Sequence, residues 1–182
     1  HHGKEVYYRE DESHSPLSRT RMENAVERSR SIIHEISTND TLRASSYREA
    51  EKIAEDIVDD VCSAPVYVLN LMKELKTFDE YLFYHSVNVS ALTAVFGRQS
   101  GALKAEELRA LTLGAYLHDI GEKKLDRQLL NKAGKLDISE MQKVKRHPQL
   151  GYEILKAVES NPVILQTVLF HHERYNDRGY YG

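Results

Sequence analysis

The stretch Leu111-Thr112-Leu113-Gly114-Ala115-Tyr116-Leu117-His118-Asp119-Ile120-Gly121 decides how this chain is read. Leu108, Leu111, Ala115 and Leu117 recur at helical spacing, which predicts a helix over about 104–118. Gly121 suits the stop after it. The pair His118-Asp119 therefore falls where a helix ends. Neighbours on a helix point about 100° apart and cannot share one face, but beside a helix end both can reach one small cluster. Taken alone, the pair reads as a surface pair or a cap.

Working outward, four more histidines stand on or next to predicted helices. His85 lies in a helix over about 79–98, apolar at Leu82, Val87, Val89, Leu92, Val95 and Phe96. His147 precedes Pro148, which fits the first turn of a helix burying Leu150, Ile154, Leu155 and Val158. His171-His172 closes a helix that Asn161-Pro162 starts and that runs through Val163, Ile164, Val168 and Leu169. Each histidine has an ordinary explanation: a core residue, a cap on a helix dipole, or a wet helix end. One metal cluster replaces all of these explanations. Imidazoles with a carboxylate suit iron, manganese, zinc or nickel, and without thiolates a cysteine-type structural zinc is excluded. Such a centre turns water into a nucleophile at neutral pH. His14 and His34 fall outside the set, and His1-His2-Gly3 reads as a tag remnant.

The rest of the chain supplies scaffold. Residues 1–20 are polar and aperiodic and read as a flexible lead-in. Met22, Val26, Ile32, Ile33 and Ile36 give a modest helical pattern to about Ser37. Over 46–62, Ala50, Ile53, Ala54, Ile57, Val58 and Val61 form one apolar face, and Glu51, Lys52, Glu55, Asp59 and Asp60 form a solvated one. A second helix follows Ala64-Pro65, with Val68, Leu69, Met72 and Leu75. Asp137 and Glu140 form a capping box for a helix over 138–146. No alternating strand and no repeat is visible, so the fold class is all-α, a helical bundle.

Composition narrows the partners. The chain has 182 residues and a formal net charge of −3, which gives no basic field for a nucleic-acid duplex. Its one cysteine, Cys62, forms no intrachain disulfide, and among apolar helix positions it reads as a buried structural thiol. No apolar run is long enough for a membrane span, and a cytoplasmic location is expected.

These residues resemble the HD-GYP branch of the HD-domain phosphohydrolases. The resemblance is carried by His85-Ser86-Val87-Asn88-Val89, His118-Asp119-Ile120-Gly121, Lys132-Ala133-Gly134-Lys135-Leu136, His147-Pro148-Gln149-Leu150-Gly151 and His171-His172-Glu173-Arg174, in that order over 78–182. Residues 21–77 are similar to the helical connector often found upstream of such domains. The resemblance implies an HD-domain-like bundle, two or three divalent metals, and hydrolysis of the bacterial second messenger cyclic di-GMP. Carried over by position, His85, His118 and Asp119 serve one metal. Asp119, the catalytic bridging residue, joins it to a second held by His147, His171 and His172.

This chain departs from that pattern in several places. Where the family has a lysine for the substrate phosphate, Glu122 stands, and a carboxylate repels phosphate. Lys123 and Lys124 are the substitutes at hand for substrate binding. The signature Gly-Tyr-Pro reads Gly179-Tyr180-Tyr181, after an altered lead-in at Asn176-Asp177-Arg178. Tyr81 occupies the position of a glutamate found in three-metal members, which favours two metals, iron or manganese. The family supplies a further aspartate ligand from a helix well after the last motif; the expectation is either that this part follows Gly182 or that the first metal site is incomplete. Two functions are compatible with this set. One is a phosphodiesterase for cyclic di-GMP or a related cyclic dinucleotide, weakened by Glu122; a related hydrolase for another phosphoester is its weaker variant. The other is a degenerate sensor or interaction module that keeps the metals and signals to a partner protein, with Arg43, Arg48, Lys52 and Lys76 as a charged surface.

Overall fold

The computed structural model describes residues 15–39, 41–74 and 81–181. α1 (Ser15–Asn39) starts at a Ser-Pro step, and proline is pre-shaped for a helix's first turn. Residues 15–20, expected in the lead-in, are therefore helical. The expected boundary at 77/78 lies outside the described residues, as do residues 1–14.

α2 (Ala44–Ser63) buries all six positions that its periodicity predicts. It also buries Asp60, which was expected on the solvated face. The reason is that α2 packs against four helices, α1, α3 (Pro65–Glu74), α4 (Tyr81–Ser100) and α5 (Ala105–Leu117), so its covered arc is wider than one stripe. Cys62 is exposed, not buried. It sits about 100° beyond Val61, past the edge of the apolar face. Arg43 and Lys52 are engaged locally, with Glu35 and with Glu55 and Asp56. Lys76 and the side chain of Tyr81 lie outside the described residues.

α5 is the axis of the fold. Thr112 to Leu117 are all buried, as befits a helix covered by α2, α4 and α9 (Pro162–Phe170). On α4, Val87, Ala91, Ala94 and Val95 face inward, but Phe96 is 66% exposed, one residue past the inward face. A 3₁₀ turn, Ile120–Lys124, follows α5 and leads to the short α6 (Arg127–Leu130) and α7 (Ile138–Val144). The Asp137–Glu140 capping box is present. α8 (His147–Leu155) carries Pro148 in its first turn, and Asn161 caps α9 by accepting from the Val163 N–H. No strand occurs among the described residues.

One apolar core runs through both halves of the sequence, from Val26 and Ile32 of α1 to Ile164 and Val168 of α9. Tyr47 of α2 donates a hydrogen bond to Glu159, tying the N-terminal layer to the loop before α9. None of the described helices is long and apolar enough to cross a membrane.

Candidate metal centre

The 3₁₀ turn packs closely on α8. Gly121 makes this possible. A Cβ there would lie 2.0 Å from the His147 carbonyl oxygen and 2.4 Å from the Gly151 nitrogen. The expected role of Gly121 as a helix stop is thus corrected: it has no positive φ, and its work is to let two backbones touch. That contact brings the start of α8, with His147, beside the end of α5, with His118 and Asp119. α4 and α9, both packed on α5, deliver His85 and His171-His172 to the same place.

The two oxygens of Asp119 divide the histidines between them. Oδ2 lies 2.8 Å from His118 Nε2 and 3.4 Å from His85 Nε2. Oδ1 lies 3.3 Å from both His147 Nε2 and His171 Nε2. Two groups of possible ligand atoms result, each with all its atoms within 4.8 Å of one another: His85, His118 and Asp119, and Asp119, His147, His171 and His172. The sequence-predicted set therefore converges completely, and Asp119 belongs to both halves.

Three of the rings are fixed by one device. His118 Nδ1 donates to the Ala115 carbonyl, His147 Nδ1 to Val144 and His171 Nδ1 to Val168, at 2.7, 2.8 and 2.9 Å. Each acceptor lies three residues back, at or near the end of a helix. A carbonyl accepts only, so Nδ1 carries a proton in each ring, and in the neutral ring the Nε2 lone pair is free. Yet His147 Nε2 and His171 Nε2 stand 2.9 Å apart, and His85 Nε2 and His118 Nε2 3.2 Å apart. For neutral His147 and His171, both anchored through Nδ1, acceptor then faces acceptor beside a carboxylate, which fits a shared cation, and a backbone partner on the far nitrogen is the usual outer support of a metal-binding histidine.

The electrostatics agree. Burial pushes Asp119 up, but hydrogen bonds from His118, His147, His171 and His85, made when their Nε2 atoms carry protons, outweigh it and hold the carboxylate well below its usual range; a cation between the same nitrogens favours the ionised carboxylate in the same way. His172 is pushed down to about 4 by burial and then by His171 and His147, so its ring is neutral at pH 7, as a ligand must be. Glu122 is half-buried, and burial followed by repulsion from Asp119 raises it. Lys123 lines a cavity with Ser29, Ser86, Tyr116 and Asp119 on the α1 side of the centre.

Two features escaped sequence reasoning. Tyr180 stacks on His172, with ring centroids 4.2 Å apart and an interplanar angle of 13°. Lys145 Nζ lies 5.0 Å from the centroid of the Tyr180 ring. Pairing across 35 residues leaves no periodic signal. The carbonyl anchors, by contrast, were accessible: a histidine just after a helix's last apolar residue is placed to donate backward.

The family model for the HD domain matches residues 82–181. The chain belongs to the HD-domain family. The chain is 38% identical over 132 residues to a cyclic di-GMP phosphodiesterase of Pseudomonas aeruginosa, covering 70% of the chain and 31% of the relative. It is 37% identical over 94 residues to the cyclic di-GMP phosphodiesterase response regulator RpfG of Xanthomonas campestris, covering 50% and 25%. A 3'3'-cGAMP-specific phosphodiesterase of Vibrio cholerae is 30% identical over 123 residues, 68% of the chain and 28% of that protein. The chain thus spans about a quarter to a third of the length of these relatives. No solved structure matches. The HD domain is a phosphohydrolase fold related to cyclic di-GMP phosphodiesterases, with a histidine/aspartate cluster that fits a metal site.

Proposed function

We propose that this HD domain is a metal-dependent phosphodiesterase for a cyclic dinucleotide, cyclic di-GMP foremost. Residues 78–182 are the metal-binding unit and 21–77 its N-terminal connector, whose helices α1, α2 and α3 pack against that unit. The observation that carries the reading is the split of Asp119, one oxygen to His85 and His118, the other to His147 and His171. That geometry supports two divalent transition-metal ions, with His172 completing the second set; iron or manganese is the pair expected from the family resemblance. Bound there, such ions supply Lewis acidity toward water and toward phosphate oxygens.

The protein's own part is positional. The Ala115, Val144 and Val168 carbonyls fix three rings, so ligand order costs little when the site fills. Asp119, kept ionised by its four imidazoles, spaces the two halves. Lys123 stands in the cavity next to Asp119 as a cation for the substrate, with Lys124 one residue on.

Glu122 works against turnover, because a half-buried carboxylate beside Asp119 repels an incoming phosphodiester. It favours a second reading, a sensor that keeps the metals and binds the dinucleotide for a signalling partner without hydrolysing it. One experiment separates the two: metal-replete protein is assayed for hydrolysis against a panel of cyclic and linear dinucleotides, with equilibrium binding measured alongside. Product formation supports the phosphodiesterase, binding without product the sensor, and a metal content near zero after anaerobic preparation rejects both. Glu122→Lys is expected to raise kcat/KM for cyclic di-GMP about tenfold, the worth of one charge-assisted contact. An unchanged kcat/KM would show that position 122 does not limit the reaction.

A further inference from the structure

The metal ligands leave one side of the centre unexplained. Beyond His172 lies Tyr180, and over Tyr180 lies Lys145. Lys145 is the residue at which α7 ends, two before His147. Other lysines nearby are neutralised: Lys132 by Glu140, Lys156 by Glu153. No carboxylate pairs with the Lys145 ammonium among the described residues; it lies over the Tyr180 ring. A cation held over an aromatic face keeps its charge while losing part of its freedom.

Lys145 also lines an open groove along α7 with Leu136, Asp137, Ile138, Met141 and Gln142. Ile138 is 82% exposed there and Met141 39%. Their apolar surface is exposed, and it lies beside Lys145, whose ammonium stands over the Tyr180 ring that stacks on His172. A phosphate joined to a planar base needs this combination: a point charge for the anion, and next to it a polarisable apolar platform with polar groups at its rim.

We propose that Lys145 and the α7 groove form a nucleotide subsite, in which Lys145 anchors a phosphate of the substrate beside the His147–His171–His172 group and the Ile138–Met141 surface receives the adjoining base. Tyr180 is a positioning residue, holding Lys145 and His172 against one ring. The subsite rests on the phosphodiesterase reading, and it supplies the cation that position 122 lacks. Lys123 sits elsewhere, in the cavity on the α1 side.

The test uses the whole chain loaded with metal. KM for cyclic di-GMP is measured for the wild type, Lys145→Ala, Lys145→Arg and Met141→Glu, with equilibrium binding in its place if turnover is absent. Inhibition by orthophosphate and metal stoichiometry are measured on the same samples. Lys145→Ala is expected to weaken both cyclic di-GMP and orthophosphate roughly tenfold, with metal content unchanged, and Lys145→Arg to recover most of the loss. Met141→Glu is expected to weaken cyclic di-GMP alone. If Lys145→Ala matches a wild type that binds cyclic di-GMP, the subsite is overturned and the phosphodiesterase reading stands. If Met141→Glu weakens orthophosphate equally, or leaves cyclic di-GMP untouched, the base platform is overturned. A metal-loaded wild type that neither binds nor cleaves any dinucleotide overturns both.

Discussion

Asp119→Asn is expected to lower cyclic dinucleotide hydrolysis by at least about 10²–10³-fold and to cut the bound metal well below two per chain. The substitution keeps shape and volume. What it removes is the charge and one of two equivalent acceptors. In the native centre each oxygen serves a different histidine pair, at 2.8 to 3.4 Å. An amide offers an oxygen to one pair and an NH₂ to the other. The NH₂ can hydrogen-bond to free Nε2 lone pairs, so the metal-free fold should survive with a melting temperature near that of the wild type. Metal binding should not, because the NH₂ turns two protons toward the cation's place. Metal analysis, circular dichroism and the hydrolysis assay on one preparation separate these effects. Full metal occupancy with an undiminished rate would remove Asp119 from the centre of the mechanism.

How far the sequence revealed this arrangement depends on the kind of contact. The three-four spacing on α2 marks six positions and all are buried, because one apolar stripe needs only one packed neighbour to be right. The same spacing misplaces Asp60 and Cys62. It cannot say how many helices a given helix will touch, or where a stripe ends within one turn. The histidine cluster was legible because imidazoles on and at the ends of helices are costly in an apolar bundle unless something satisfies them together. Which oxygen of Asp119 serves which pair was not legible, since it depends on the packing of four elements at once. Tyr180 on His172 was hidden for a related reason: the loop after α9 folds back, with the Tyr181 N–H donating to Glu173, and nothing in the local pattern announces a return.

Gly121→Ala is expected to cost about 3 kcal/mol or more, more than the usual range for one added methyl, because the obstruction is main chain. The new Cβ would meet the His147 carbonyl oxygen at 2.0 Å and the Gly151 nitrogen at 2.4 Å. Side chains can rotate away; these atoms move only if the 3₁₀ turn and α8 separate. For a chain of this size a loss of that order lowers the melting temperature by roughly 6–12 °C. The separation also pulls His147 from Asp119, so metal affinity should fall together with stability. Gly101→Ala serves as the control. Gly101 has φ +64° and nothing within 4 Å of an added Cβ, so its substitution costs only the left-handed strain, about 1–2 kcal/mol, with metal binding intact. Thermal melts and metal titrations of both variants decide the matter. Equal melting temperatures with wild-type metal affinity in Gly121→Ala would mean that the close approach of turn and helix does not hold the two halves of the centre together.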